Sequence, residues 1–335
     1  MIRKLLGNIF RKIASSVGYK LVPENRLFDF QTQPSLQPKQ FGDDLPKGFA
    51  DDLNPNHPKL VEYQERYDMF DSRVTSPSVW TSDRLSLEKM AYFRGHSAFL
   101  YQIGSQNRNI LGYTLQAYYI QNHDPLNLWH NLEEDGDFGV IMYRAANKSI
   151  SRDYLDSIME INFLERNLNI SSQDELSILD VGAGYGRLAY RMVSALPNLI
   201  TYFCTDAVPI STFICEYYIN HKGIQKKAQS IPLDEIESEL KNTSIDIAIN
   251  IHSFSECTIK AIDWWLSLIK QHKIPYIFIV PNSGKQLLTN DKKNFHSLIK
   301  EKGYQRITME PKYDDPNLQR YAANPSYYHL FKLQE

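Results

Sequence analysis

The sequence of 335 residues is poor in cysteine, carries almost no net charge and has no long apolar run. Its three cysteines, Cys204, Cys215 and Cys257, are odd in number and form no C-x-x-C pair. This usage favours a reducing, cytoplasmic compartment over a disulfide framework or a structural zinc site. A net charge of −2 supplies no basic field of the kind that nucleic-acid binding needs. No stretch approaches the roughly 18 uncharged apolar residues of a membrane-spanning helix.

The first 22 residues have a basic amphipathic pattern instead. Apolar residues recur at helical spacing from Ile2 to Val17, and five basic side chains precede the first acid, Glu24. Charges interrupt every apolar run and no small-residue cleavage site follows, so this is a poor signal peptide. We expect a helix over residues 1–22 that makes peripheral contact with an anionic membrane surface. A helix docked on its own domain or on a partner subunit fits the pattern equally well.

The rest of the chain divides into three segments. Residues 23–58 hold six of the sixteen prolines and little apolar periodicity, which predicts a linker or an extended arm. Residues 59–150 are rich in aromatic residues at helical spacing, which predicts a helical cap whose rings serve mainly in core packing. Residues 151–335 alternate strand-like and helix-like stretches, the pattern of a doubly wound α/β sheet.

Three glycines follow the first apolar strand of this last segment, in the stretch LSILDVGAGYGRLAYRM at residues 176–192. Glycine permits unusual backbone dihedrals and the close approach of a ligand, so the spacing predicts a binding turn between a strand and a helix. A dinucleotide fingerprint needs a glycine at the position where Arg187 stands. The D-x-G-x-G-x-G spacing instead resembles motif I of the class I methyltransferases, which use S-adenosylmethionine and wrap its methionine part in this turn.

A second predicted strand ends at Asp206, twenty residues after Gly186. An acid at this place accepts hydrogen bonds from both ribose hydroxyls of an adenosyl group, although Asp206 as a mere cap of the next helix is the alternative. After the third strand many methyltransferases have an acid for the adenine amine, where this chain has Gln229 and Ser230, so the adenine contact stays open. The residues expected to contact the cofactor are Asp180, Gly182, Ala183, Gly184, Gly186, Arg187, Asp206, Ala207, Ser230 and Asn250.

Four stretches together resemble one family. SRDYLDSIMEINFLER, ILDVGAGYGRLAYR, CTDAVPIS and INIHSFSEC are similar to the sugar O-methyltransferases found with bacterial polysaccharide and lipopolysaccharide genes, from about Asp135 to the C-terminus. The resemblance implies a Rossmann-like class I methyltransferase sheet with an N-terminal helical cap. It also implies a sugar or glycan hydroxyl as the acceptor. A methyltransferase acting on another small molecule, or a non-catalytic subunit that binds cofactor or partners, is the alternative.

His252 is the first candidate for the catalytic base. It ends the fourth predicted strand, at the edge of a parallel sheet that faces the ligand crevice. A sugar hydroxyl must lose its proton as it attacks the sulfonium methyl, and imidazole has a suitable ordinary pKa of about 6.5. The alternative is a partly buried histidine that satisfies loop backbone. This strand end has no pair of acidic residues of the kind that would indicate a metal site.

Glu256 is the second candidate at this strand end. Ser253 and Glu256 fit the S-x-x-E capping box, so we predict that Glu256 caps a helix in preference to binding the acceptor or orienting His252. Should His252 not be the base, the next candidates lie in the loop near the C-terminus. They are Asp314, Asp315 and Tyr321.

Overall fold

The fold was analysed in a computed structural model that describes residues 48–76, 79–80, 87–95, 110–282, 284–321 and 326–334, with the single residues Phe10, Ala14 and Ser16. Apart from those three residues, the predicted helix over residues 1–22 lies outside the described residues. So does most of the predicted arm over residues 23–58. Within the described ranges, no helix is both long enough and apolar enough to cross a bilayer.

The strands of the described chain form a small hairpin and one large sheet. In chain order they are β1 (Tyr143–Ala145), β2 (Lys148–Ile150), β3 (Leu176–Val181), β4 (Leu199–Thr205), β5 (Ala228–Ser230), β6 (Ile247–Ile251), β7 (Tyr276–Val280), β8 (Tyr304–Pro311) and β9 (Tyr327–Leu333). β1 and β2 pair with each other, and the other seven strands lie in the order β5-β4-β3-β6-β7-β9-β8. Strands β3 to β7 pair in parallel, while β9 is antiparallel to both β7 and β8.

This sheet is a doubly wound one with a reversed strand near one edge. Counted from its first strand, its order is 3-2-1-4-5-7-6, which differs from the order 3-2-1-4-5-6 by the inserted antiparallel strand. β3 is buried at every residue, as expected of a central parallel strand covered on both faces. β8 exposes much of its length, as an edge strand does. The α/β fold predicted from the class I methyltransferase resemblance is confirmed.

Helices cover both faces of the sheet. In chain order they are α1 (Phe49–Asp52), α2 (Pro58–Asp68), α3 (Ser72–Thr75), α4 (Ile110–Asn122), α5 (Leu128–Asn131), α6 (Arg152–Leu168), α7 (Arg187–Ala195), α8 (Pro209–His221), α9 (Ile236–Asn242), α10 (Ser253–Glu256), α11 (Ile259–Gln271), α12 (His296–Glu301) and α13 (Pro316–Tyr321). Short 3-10 turns occupy Leu87–Tyr92, Asp137–Gly139 and Ile170–Ser172. Successive residues of β3 belong to different cores: Ile178 clusters with Met159 and Leu188, and Leu179 clusters with Ile262.

A third core joins the segment before residue 150 to the sheet domain. Tyr63 of α2 lies in it with Phe93, Phe138, Tyr185 and Tyr218. The Phe93 ring centroid lies 4.6 Å from that of Phe138 and 5.1 Å from that of Tyr185. These aromatic side chains therefore serve core packing, which buries large apolar areas.

Buried charges connect the same regions. The Arg94 guanidinium is fully buried and pairs with Glu134 at 2.8 Å, with Asp135 at 2.7 Å and with Asp153 at 3.3 Å. Arg191 of α7 approaches the other oxygen of Glu134 to 3.1 Å. The network thus links the 3-10 turn before residue 95 to α6 and α7. The domain boundary at residue 150 stays a prediction.

Candidate active site

The predicted glycine turn joins β3 to α7 at the carboxyl edge of the parallel strands. Gly182, Gly184 and Gly186 have φ angles of +75°, +59° and +83°. A Cβ atom on Gly182 would lie 2.2 Å from both Cβ and Oγ of Ser253, and one on Gly186 would lie 3.0 Å from the sulfur of Cys215. A distance of 2.2 Å is shorter than any contact between non-bonded carbon atoms. Gly182 is therefore required because a side chain would not fit, as well as because of its positive φ angle.

Main-chain bonds fix this turn to the end of β4. The amides of Gly182 and Ala183 donate to the carbonyl oxygen of Thr205 at 2.8 and 3.2 Å. The Gly184 amide donates to Oδ2 of Asp206 at 3.2 Å, and the Val208 amide donates to Oδ1 at 2.9 Å. Asp206 therefore joins the glycine turn to the start of α8 and is more than a cap of that helix.

The environment of Asp206 suits a ligand that donates hydrogen bonds. Burial raises the pKa of its carboxyl group to about 7, and the amides of Val208 and Gly184 oppose that rise. Further donors would favour the charged form still more. The predicted ribose contact would supply two hydroxyl donors, and it stays a prediction.

A pocket opens beside the turn. Its lining residues are Asp180, Gly182, Ala183, Gly184, Tyr185, Arg187, Leu188 and Ile251. The lining thus includes five of the ten residues expected to contact the cofactor. Asp180 is buried at this pocket, where it accepts a hydrogen bond from the Tyr202 hydroxyl at 2.8 Å, and burial raises its pKa to about 7.

Arg187 reaches this pocket from a position fixed by α6. Its guanidinium donates to Glu160 at 2.8 Å and to the hydroxyl of Ser157 at 2.8 Å. The Arg187 and Glu160 side chains are both nearly inaccessible to solvent. Burial makes removal of one partner costly, because the other charge would be left unpaired. No pattern in the sequence indicated that Arg187, at the start of α7, pairs with Glu160 of α6.

Ser230, Asn250 and Ala207 have contacts of their own. The Ser230 hydroxyl donates to the carbonyl oxygen of Thr212 at 3.0 Å. Asn250 donates to the carbonyl oxygen of Val181 at 2.8 Å and accepts from the Phe254 amide at 2.9 Å, so it fastens the end of β3 to α10. Ala207 packs, half-buried, against the hydrophobic core. As cofactor contacts, all three stay predictions.

His252 follows β6 directly, at the predicted strand end. Its amide donates to the carbonyl oxygen of Val280 at 2.7 Å, and its φ is +68° with ψ −35°, a left-handed value that costs a non-glycine residue about 1–3 kcal/mol. Burial first, and then the positive charge of Arg152, lower its pKa to about 3. The expectation of a base titrating near pH 6.5 is therefore corrected: the imidazole is neutral throughout the physiological range.

The predicted capping box at Glu256 is wrong. Ser253 lies inside α10, which ends after one turn, and the longer α11 is capped by Thr258, whose hydroxyl oxygen accepts from the Ala261 amide at 3.2 Å. The Glu256 carboxylate instead accepts from the indole N–H of Trp80 at 2.7 Å and from the Asn282 side-chain amide at 3.1 Å. The spacing S-x-x-E is present, but the helix breaks before it can use the box.

Glu256 lies close to Asp206. Its negative charge contributes to the raised pKa of Asp206, and burial raises the pKa of Glu256 itself. Its partner Trp80 belongs to the aromatic segment whose rings we expected mainly in core packing. Sequence reasoning missed both Trp80 and Asn282, and no periodicity in the chain connects them to Glu256.

The C-terminal loop contributes a different residue from those expected. The Asp314 carboxylate accepts from the Tyr119 hydroxyl at 2.6 Å, and Oδ1 of Asp315 accepts the amides at the start of α13. The side chain of Tyr321 lies outside the described residues. Lys312 instead forms an ion pair with Asp156, and both charges act on the pKa of His252. Among the described residues, no three His, Cys, Asp or Glu side chains are placed to hold a metal ion.

Comparison with protein-family models and with curated proteins finds no match. Among solved structures, the chain is similar to the mitomycin 7-O-methyltransferase MmcR, with 13% identity, a TM-score of 0.37 and coverage of 54% of this chain. It spans 57% of that protein's length.

Two further structures have similar scores. A SAM-dependent methyltransferase from Aquifex aeolicus has 13% identity and a TM-score of 0.39, over 51% of this chain and 89% of its own. The [4+2]-cyclase SpnF has 12% identity and a TM-score of 0.40, over 66% of this chain and 95% of its own. At these scores the likeness is partial, and the assignment of a ligand depends on the geometry of the turn.

Proposed function

We propose that this protein transfers a methyl group from S-adenosylmethionine to a sugar hydroxyl in surface polysaccharide biosynthesis. The observation that carries the cofactor assignment is the three-glycine turn bonded through the Gly184 amide to the carboxylate of Asp206. The turn has the positive φ angles of a glycine-rich binding loop, and Asp206 has the environment to accept ribose hydroxyls. The sugar acceptor rests on the resemblance of the sequence stretches around both features.

Two groups of residues would hold the cofactor. The backbone of the turn from Gly182 to Gly186 would surround its methionine part, and Asp206 would accept from its ribose. When bound, the cofactor supplies an electrophilic methyl group on a sulfonium. Ser230 gives no acid for the adenine amine, so that contact stays unassigned.

His252 is the proposed base. It stands at the carboxyl end of β6, next to β3 in the sheet, which is the position that faces the crevice of a doubly wound sheet. Its strained backbone adds support, since such conformations cluster at active sites. Its lowered pKa leaves the imidazole unprotonated at neutral pH, while the same burial makes it a weaker base than an ordinary imidazole, so the proposal depends on its position and not on its pKa.

The decisive experiment combines binding with transfer. Calorimetry with S-adenosylhomocysteine should show binding to the wild type, and Asp206→Asn should weaken it by about 1.5–3 kcal/mol, the usual contribution of hydrogen bonds to a charged group. Radiolabelled S-adenosylmethionine should then transfer its methyl to members of a panel of free, nucleotide-activated and lipid-linked sugars.

Three other results would contradict the proposal in distinct ways. Absence of cofactor binding would refute the assignment of the turn. Binding followed by transfer only to non-sugar metabolites would favour a methyltransferase acting on other small molecules. Binding without transfer to any acceptor would favour a non-catalytic subunit.

A further inference from the structure

A second concavity lies between the end of α4 and the end of β8, and it shares no lining residue with the pocket at the glycine turn. One wall is the segment 119–125. The other wall is formed by residues 310–312 and Asp314, and Arg166 of α6 also lines the space. We call this space the α4–β8 groove.

An aromatic pair stands in one wall of the α4–β8 groove. The His123 ring lies flat on the Tyr119 ring, with centroids 4.0 Å apart and planes 13° from parallel. Nδ1 of His123 lies 2.8 Å from the Tyr119 carbonyl oxygen, and the Tyr119 hydroxyl donates to Asp314 across the groove. These bonds fix both rings. His123 is exposed, so the pair offers one aromatic face, whose negative charge attracts the weakly positive C–H bonds of a sugar ring.

The polar groups of the same walls are mostly acceptors. The side-chain amide nitrogens of Gln121 and Asn122 each donate one hydrogen bond to a carbonyl oxygen of their own helix, at 3.2 and 2.9 Å, which leaves each residue one N–H donor and an oxygen that accepts. Glu310 and Asp314 add carboxylates. A ligand that brings several hydroxyl donors matches this arrangement, because each hydroxyl donates one hydrogen bond.

The charges that line the groove disfavour an anionic ligand. Arg166 pairs with Glu310 at 2.6 Å, and Lys312 pairs with Asp156, which also pairs with Arg152, so both cationic side chains of the lining are already engaged in ion pairs. Asp124 is used within the protein, where it accepts from the Trp129 amide and from the Asn162 side chain. Side-chain recognition of phosphate commonly uses Arg or Lys groups that are free to pair with it. The lining therefore favours an uncharged polyhydroxyl compound over a nucleotide or a nucleic acid.

One residue connects the groove with the candidate active site. Lys312 lines the groove, and its ion pair with Asp156 lies near enough to His252 to affect the pKa of the imidazole. β7 and β8 are both antiparallel to β9, so the end of β8 that lines the groove lies at the same sheet edge as the carboxyl end of β6, which His252 follows.

We propose that the α4–β8 groove binds a sugar unit of the acceptor glycan that neighbours the unit to be methylated. This inference rests on the proposed function, because it supplies that reaction with specificity for an oligosaccharide over a single sugar. The chemistry of recognition is stacking on the His123–Tyr119 pair together with hydroxyl donation to the side-chain oxygens of the walls.

The test uses the full chain and a printed panel of defined, uncharged bacterial oligosaccharides. The variants are Tyr119→Ala and Asp314→Asn, and the matched control is Tyr118→Ala, which removes the neighbouring tyrosine, 54% exposed and outside the groove. We expect wild type and control to retain the same oligosaccharide, and Tyr119→Ala to bind it about tenfold more weakly, equivalent to about 1.4 kcal/mol. Asp314→Asn, an isosteric change of an exposed side chain, should weaken it too.

The outcomes separate the groove from the reaction. Equal affinity of wild type and both groove variants would overturn the proposal, and so would a wild type that retains no member of the panel. Binding of spermine alone, lost at high salt, would identify a cation site instead and overturn it as well. If the panel binds through the groove while no sugar is methylated, the proposed function has failed and the groove stands.

Discussion

The two sides of the candidate site are held by different kinds of contact. At the glycine turn the fixing bonds come from main-chain amides, which meet the Thr205 carbonyl oxygen and the Asp206 carboxylate. At the end of β6 the bonds to the Glu256 carboxylate come from the side chains of Trp80 and Asn282, which belong to distant segments.

This difference predicts how each side responds to substitution. Main-chain bonds survive most changes of side chain, so the turn is sensitive mainly where an added Cβ meets another atom or where the carboxylate of Asp206 is removed. The β6 side depends on individual side chains, so replacement of His252, which has no contact with the glycine turn among those described, should change turnover while leaving the cofactor site intact. Separate measurements of cofactor affinity and turnover therefore distinguish the two sides.

The largest effect is expected for Gly182→Ala. The added Cβ would lie 2.2 Å from Ser253, so the turn must move, and S-adenosylhomocysteine binding should fall below calorimetric detection. Gly223→Ala is the matched control, because it has a similar φ of +66° with nothing within 4 Å of the added Cβ. It should cost about 1–2 kcal/mol of unfolding free energy without changing affinity. A folded Gly182→Ala protein with wild-type affinity would show that the turn is not the cofactor site.

His252→Ala should affect the other side alone. We expect turnover to fall by about 10² to 10⁴-fold, the usual contribution of a general base, with cofactor affinity unchanged. Because the pKa of His252 is about 3, the wild-type rate should show no limb from this imidazole near pH 6.5. Glu256→Gln is the paired variant. If it loses more turnover than His252→Ala, Glu256 takes part in catalysis. Chelation should leave the rates of all three proteins unchanged if no metal takes part.

The smallest expected effect is on stability and concerns His329 of β9. Its pKa is lowered, like that of His252. His329 is fully buried, and neither ring nitrogen has a hydrogen-bond partner among the described residues. Burial, and then the charge of Arg306, lower its pKa to about 4. The unfolded chain regains a pKa of about 6.5, so it binds the proton first as the pH falls.

The free energy of unfolding should therefore decrease between about pH 6.5 and about pH 4, by at most about 1.4 kcal/mol per pH unit. Urea denaturation at several pH values should show that His329→Leu removes this part of the slope, while His130→Leu on the exposed side of α5 keeps it. Turnover at neutral pH should be the same in all three proteins. A slope that is unchanged in His329→Leu would contradict the assignment.

The turn and the sheet were accessible to sequence reasoning because their signals are local. The apolar run of β3, the glycines and Asp206 lie within about thirty residues of one another, and parallel strands bring their carboxyl ends to one edge.

The β6 side was not accessible in the same way. Trp80 and Glu256 are 176 residues apart, and the Tyr119 and Asp314 side chains of the α4–β8 groove are 195 residues apart. Such contacts depend on how whole segments pack against one another, and the periodicity of apolar residues along the chain does not predict that packing. The prediction of a capping box was wrong for a related reason. The end of α10 at Cys257 is determined by the surrounding structure and not by the four residues that precede it.

The buried ion pairs of Arg94 limit how far this protein can be shortened. Arg94 shares Glu134 with Arg191, and Arg191 belongs to the helix that begins at the glycine turn. A chain that begins at α4 would lack Arg94, and it would leave Asp153 and Glu134 buried with less positive charge around them. Breaking a buried ion pair in this way costs about 3–5 kcal/mol. Removal of the segment ahead of the sheet should therefore destabilise the remaining domain unless Asp153 and Glu134 are neutralised as well.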